Sequence, residues 1–258
     1  MPNQKELHQR YQIQAAWTKP MRQHCLSQCL TTAPLRILEV GCGTGVILSE
    51  LHNQYPTAQC VGIDVDSEAL HTAFQSKLLS GYAQSDAVSL PFPSNSLDLI
   101  YCHFFLLWAS PLDVILQEIK RVLQPGAPFI AFAEPDYGGR IDFPSDLQLL
   151  GDWQEGALRK QGAHTRIGRQ LGELLQQAGL TSIETGLIGG QWKIPQEANR
   201  FNNEWHTLEA DLLPLESFDP VKFKQLKALA TRYEQAGTRI LFVPTFYAFG
   251  FKPAAINK

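Results

Sequence analysis

Apolar residues recur along this chain in two alternating rhythms: steps of three and four residues, and short continuous runs. Over residues 4–31, Leu7, Tyr11 and Ala15, then Met21, Cys25, Leu26, Cys29 and Leu30, follow the first rhythm and predict helix, with Pro20 expected to break it in two. Runs at Ile37–Val40, Cys60–Asp64, Leu97–His103 and Phe129–Ala133 are short enough for strands and apolar enough to be covered on both faces. Tyr82–Ala87 reads as a shorter strand that ends in an acid. Helical spacing separates these runs at Val46–Leu51, Ser67–Leu79 and Pro111–Val122, and Gln124-Pro125-Gly126 stops the last of them in a tight turn. Strand and helix alternating at this interval imply a parallel sheet with right-handed crossovers. Further on, 144–161 and 166–178 read as helices and Thr181–Ile188 as a strand. Residues 196–236 read as largely helical with interruptions at Pro214 and Pro220, and Phe242–Phe251 as one closing strand with Pro244 near its start.

The first strand runs straight into Gly41-Cys42-Gly43-Thr44-Gly45 and then into helix. Glycines at alternate positions can take positive φ and bring backbone amides against a bound molecule, beside the favourable dipole of the helix start. The second strand ends in Asp64, which in an open α/β sheet lies beside that turn and can accept both hydroxyls of a ribose. A dinucleotide fingerprint, G-x-G-x-x-G, would place its third glycine at position 46, where this chain has Val46. Glu39, just before the turn, would repel a pyrophosphate but would suit a cationic amino-acid group.

With Glu39 and its three glycines, this stretch resembles the first motif, E/D-x-G-x-G-x-G, of the class I S-adenosylmethionine-dependent methyltransferases. Arg121-Val122-Leu123-Gln124-Pro125-Gly126 resembles that family's later R-V-L-x-P-G-G phrase, with Ala127 in place of the second glycine. The likeness covers residues 35 to about 134 and is nearest to the ubiquinone- and menaquinone-biosynthesis type. It implies a Rossmann-like, doubly wound, seven-stranded, mostly parallel sheet with helices on both faces and a final antiparallel strand. It also implies a lid from residues 1–34, a methyltransferase domain over 35–258, and a partial helical cap from segments around 136–165 and 191–240. The cofactor implied is S-adenosylmethionine, leaving S-adenosylhomocysteine. Its shell would comprise Glu39, Gly41, Cys42, Gly43, Gly45, Asp64, Val65, Asp86, Ala87 and His103, with the adenine amino group donating to Asp86. Tyr11 and Trp17 admit two readings, amphipathic packing or closure over the cofactor.

Net charge is −3, and the Lys and Arg residues are scattered, so the basic footprint of a nucleic-acid-binding surface is missing. No apolar stretch is long enough to span a bilayer, and the polar start does not read as a signal peptide. Cytoplasm is the expected compartment. Five cysteines without paired spacing fit reduced thiols better than a disulfide framework. Cys25 and Cys29 share a helical face with no third cysteine at iron–sulfur spacing, and no metal site is expected.

Two groups remain for the acceptor side. His103 ends the fourth strand at the edge where parallel sheets bind ligands, and reads either as a structural histidine or as a base. Glu134, Asp136, Tyr137 and Arg140 follow the fifth strand, and read either as an ordinary charged turn or as groups that orient the acceptor, with Arg140 matched to a carboxylate and Tyr137 close to the chemistry. The acceptor expected is a small metabolite. Two other classes stay open: a protein that binds the cofactor without transferring anything, and, disfavoured by Val46, a nicotinamide-dependent oxidoreductase. The sequence does not fix the oligomeric state.

Overall fold

Strands β1 (Arg36–Val40), β2 (Gln59–Asp64), β3 (Gly81–Gln84), β4 (Leu99–His103) and β5 (Pro128–Pro135) run parallel to their neighbours. In this computed structural model, which describes residues 4–75, 81–187, 189, 205, 207–212 and 218–254, two later strands complete the sheet. After the short β6 (Ile141–Phe143) come β7 (Thr181–Leu187), β8 (Ile240–Phe242) and β9 (Thr245–Phe251). The seven-stranded order is β3-β2-β1-β4-β5-β9-β7, with β9 antiparallel to both neighbours, while β6 and β8 pair antiparallel in a separate ribbon. Strand order reverses between β1 and β4, and ligands of such sheets bind at the carboxyl ends beside that reversal.

Alternation along the central strands divides the interior in two. Leu38, Val40, Ile100, Cys102, Phe129 and Ala131 face one layer, packed by α4 (Leu112–Val122) and α6 (Leu171–Gln177). Ile37, Leu99, Tyr101, Ile130 and Phe132 face the other, packed by α1 (Gln4–Cys29) and α2 (Val46–Gln54). Helix α3 (Ser67–Gln75) lies against β3, and α5 (Gln148–Lys160) and α7 (Pro220–Gln235) enclose a third cluster with Trp205, Leu208 and Leu212. Trp205 is its centre, packed edge-on to Phe223. No helix of the described residues is long and apolar enough to cross a membrane.

Three sequence expectations are corrected. Pro20 does not split the first helix, because α1 continues through it from Gln4 to Cys29. One lost hydrogen bond is outweighed by anchors on either side: Arg22 donates to Glu50 on α2 at 2.5 Å, and Met21, Cys25 and Leu26 are buried against the sheet. The closing strand is two strands. Pro244 has no amide to give the ladder, and its carbonyl accepts the Asp136 amide at 2.8 Å, so β8 leaves for β6 and only β9 stays in the main sheet. Pro220 starts α7 instead of interrupting it, with Asp219 accepting the Val221 and Lys222 amides as the cap. The ends of the expected elements at Leu79 and Ile188, Pro214, and much of 191–217 lie outside the described residues.

The third cluster is a core separate from the two that line the sheet, so its loss should be local. Trp205→Ala should cost about 3–5 kcal/mol of the stability of this cluster. Hydrogen exchange should accelerate in α5 and α7 while β1 and β4 stay protected; uniform acceleration would mean that the chain unfolds as one unit.

Candidate functional site

At the carboxyl end of β1, Gly41, Gly43 and Gly45 take φ of 70°, 49° and 73°, a region in which a side chain would be strained. The turn is tied to β2 by the Gly41 and Cys42 amides, which donate to the Ile63 carbonyl at 2.9 and 3.0 Å. Asp64, at the end of β2, accepts the Gly43 amide at 2.7 Å and the Asp66 amide at 3.0 Å. Val65 beside it is exposed, and Cys42 is buried beneath the turn. After β3, Asp86 caps its own turn by accepting the Val88 amide at 3.0 Å, with Ala87 buried next to it. The β1, β2 and β3 ends thus bring the glycines and both aspartates to one edge.

Helix α1 crosses this edge with a single seam, His8, Tyr11, Ala15, Thr18 and Arg22, spaced by three and four residues. The Tyr11 ring covers Gly43 so closely that a β-carbon there would lie 2.7 Å from it; the Phe105 ring covers Gly41, and the Tyr82 hydroxyl approaches Gly45. His8 Nδ1 lies 2.9 Å from the Thr44 hydroxyl. Further along, Thr18 Oγ1 lies 2.9 Å from His103 Nε2, and Arg22 donates to that oxygen at 2.5 Å. Burial, followed by the nearby Arg22 charge, pushes the His103 pKa down to about 3, so the imidazole is neutral. Trp17 is 45% exposed and leans its ring on Phe104 at 5.9 Å. His8, Thr18, Arg22, Tyr82 and Phe105 escape the sequence reading. A polar seam on α1 was the available signal for three of them.

Behind the turn, Glu39 is buried on the α1 and α2 side opposite Tyr101, whose hydroxyl donates to it at 3.2 Å. Burial pushes its pKa up to about 8, against the pull of Tyr101, the Leu48 amide and Arg22. Its carboxylate therefore backs the turn and is not displayed on its surface. Concavities of about 380 and 300 Å³ lie elsewhere, beside Val114 and Glu118 and around Thr31 and Tyr55. Polar groups converge instead at the turn, which is roofed by aromatic side chains.

The residues expected to orient an acceptor are mostly engaged by the protein. Glu134 is fully buried and accepts the amides of Phe105, Leu106 and Leu107 at 3.0, 2.9 and 3.1 Å, so it shapes the loop after β4. Asp136 is held by Arg169 through two contacts. Arg140 is held at 2.7 and 2.8 Å by both oxygens of Asp142 and donates to Gln154, with its side chain only 5% exposed. That corrects the expectation of a guanidinium open to a substrate carboxylate: its fork is already filled. Tyr137 is half-buried, its pKa pushed up to about 12 by burial and by Asp211.

Residues 38–131 match the family described as a methyltransferase domain. Those residues carry the pattern of a methyltransferase domain. Among relatives of this domain, malonyl-[acyl-carrier protein] O-methyltransferase of Legionella pneumophila is 33% identical over 102 residues, 37% of this chain and 35% of that one. Demethylmenaquinone methyltransferase of Thermus thermophilus is 30% identical over 141 residues, 50% of this chain and 64% of that one. The chain thus spans about a third of the first relative and under two thirds of the second. In fold, the methyltransferase domain is similar to a putative methyltransferase of Bacillus halodurans, at a TM-score of 0.58 and 16% identity, covering 89% of this chain and 97% of that one.

Two buried carboxylates generate tests. Glu134→Gln turns an amide donor toward backbone donors that now find an acceptor, and should lower stability by about 1–3 kcal/mol in urea unfolding. Glu39 titrates near 4.5 when unfolded and near 8 when folded, so between these values the folded state holds a proton that the unfolded state has released. Stability should fall as pH rises through that window and level off above it. Glu39→Gln should flatten part of the slope between pH 5 and 8; an unchanged slope would show that Glu39 is ionised throughout.

Proposed function

We propose that the chain binds S-adenosylmethionine at the glycine turn and transfers its methyl group to a small-molecule acceptor. The observation that carries this reading is the turn itself: three alternate glycines at left-handed φ, with the Asp64 carboxylate on the amide of the middle one, at the reversal of strand order. Val46 begins α2 and packs into the layer below, so the place of a third fingerprint glycine is taken by a branched side chain. The residues present fit the cofactor, since what covers Gly41 and Gly43 is the side chains of Phe105 and Tyr11, which can rotate, and not backbone.

Asp64 would accept the ribose hydroxyls, and Asp86, with one carboxylate oxygen spent on its own turn, would use the other for the adenine amino group. Gly41, Cys42, Gly43 and Gly45 would admit the rest against bare backbone, with Val65 and Ala87 flanking the base. Glu39 would act from behind as a buried acid. Tyr11 and Trp17 on α1 would close over the bound molecule, giving residues 4–29 the part of a lid, and the cluster around α5 and α7 the part of a cap. The cofactor supplies a methyl group already activated on a sulfonium. The chain's own share is then alignment of acceptor, methyl and sulfur, exclusion of water, and a neutral His103 able to take a proton where the acceptor has one to lose. A small acceptor group is supported by the names of the two relatives, one a malonyl-[acyl-carrier protein] O-methyltransferase and the other a demethylmenaquinone methyltransferase. Five buried free cysteines support a reducing compartment such as the cytoplasm.

Calorimetry with S-adenosylhomocysteine, S-adenosylmethionine and NAD tests the reading. The first two should bind, and Asp64→Ala should weaken them by about 1.5–3 kcal/mol through loss of charge-assisted hydrogen bonds. Binding of NAD alone would overturn the assignment. Cofactor binding with no methyl transfer to any component of a metabolite extract would leave a non-catalytic binding protein.

A further inference from the structure

Thr18 is a buried hydroxyl with four polar neighbours, the most distant of them the Ala15 carbonyl oxygen at 3.4 Å, and their distances leave one consistent arrangement of protons. Its oxygen lies 2.6 Å from the Gln14 carbonyl oxygen, 2.5 Å from Arg22 Nη1 and 2.9 Å from His103 Nε2. Two oxygens at 2.6 Å repel unless a proton lies between them. The Gln14 carbonyl has none to give, so the single hydroxyl proton of Thr18 must point there, as helical threonines commonly do toward the carbonyl four residues back. Arg22 can only donate, and fills one of the two lone pairs of Thr18. The remaining lone pair faces His103 Nε2, which must therefore carry a hydrogen. With the hydroxyl proton spent, the opposite tautomer would set a bare Nε2 lone pair against a bare oxygen lone pair.

We infer that Thr18 and Arg22 on α1 fix His103 as its Nε2–H tautomer, which leaves the Nδ1 lone pair as the proton acceptor at the end of β4. Nδ1 receives no hydrogen bond from any described residue, whereas Nε2 is fully committed to α1. Around this ring, Arg22 is the nearest charge; it is paired with Glu50 at 2.5 Å, and Glu39 lies behind it. Burial, and after it the Arg22 charge, opposes a second proton on the imidazole, so the ring keeps one lone pair free. Thr18 and Arg22 are thus positioning residues. They act through His103, in the way that a partner on one ring nitrogen decides what the other can do. The use of that lone pair on an acceptor rests on the proposed methyl transfer; the tautomer does not.

The tautomer is read directly by nitrogen-15 correlation spectra of the full chain with labelled histidine, with the His103 signals assigned by their loss in His103→Gln. Nε2 should show the shift of a protonated nitrogen and Nδ1 that of a bare one, and the Nε2 proton should exchange slowly with solvent. Thr18→Val, nearly the same shape without the oxygen, should speed that exchange by about tenfold, the equivalent of one hydrogen bond, and admit a fraction of the Nδ1–H form. Thr18→Ser should restore the wild-type spectrum. A proton on Nδ1 in the wild type, or a Thr18→Val spectrum and exchange rate identical to wild type, would overturn the inference. Because neither readout involves methyl transfer, absence of turnover would count against the proposed function and leave the tautomer standing.

Discussion

The carboxylate of Glu134 holds the site in shape. β4 must end at His103 for that imidazole to stand at the sheet edge, and the chain turns sharply there: Phe104 takes a φ of 51°, and Ala133 across the ladder takes 57°. Three successive amides, from Phe105 to Leu107, would then be buried without partners, at a cost of a few kcal/mol between them. Glu134 accepts all three, at the point where β5 slips its register against β9. Burial alone would leave this acid neutral, and its pKa is pushed up to about 8; the amides pull it back toward the charged form. The position of Phe105 over Gly41 and of Phe104 beside Trp17 and His103 follows from that clasp.

The counterpart of this clasp is the seam of α1. Residues 8, 11, 15, 18, 22, 25 and 29 recur with a heptad rhythm, but the first five span the sheet edge and are mainly polar, whereas Cys25 and Cys29 lie over the apolar layer. One helix therefore serves two environments along its length. Its continuity through Pro20 matters for that reason: a break would uncouple the anchored half, fixed by Arg22 and Glu50, from the half that carries Tyr11 and His8 over the glycine turn. Rigidity of the half over the glycine turn is borrowed from packing well away from the sheet edge.

This division explains what could be read from the sequence. The central strands, the glycine turn and Asp64 are local signals: short apolar runs, a spacing of three glycines, an acid at a strand end. The seam was hidden because polar residues at helical spacing ordinarily face water, and only the fold shows that a sheet edge waits for them. Arg140, just before β6, and Asp142 on it stand two apart in extended backbone and so share a face, a pairing that strand periodicity could have suggested. Asp136 with Arg169, and Thr18 with His103, join residues distant in sequence, and no local pattern announces them. The split between β8 and β9 was visible as Pro244, but its consequence depended on where β6 lay.

Arg140 and Asp136 are filled by internal partners and so serve the architecture of the chain after β5. The polar groups after β5 form a frame: Arg140 ties β6 to Gln154 on α5, Gln154 donates to Asp211 at 2.7 Å, and Arg10 of α1 reaches Asp211 at 3.7 Å. That chain of contacts runs from the third cluster to α1, so a shift of one is felt by the other through charged groups in a poorly solvated space, where such interactions are strong. Arg10 holds its partner at ion-pair distance, with no hydrogen bond within the geometry of the Arg140 fork. The looser end of the frame is therefore the end nearest Tyr11 and the glycine turn, and α1 is where the third cluster and the carboxyl edge of the sheet are mechanically joined.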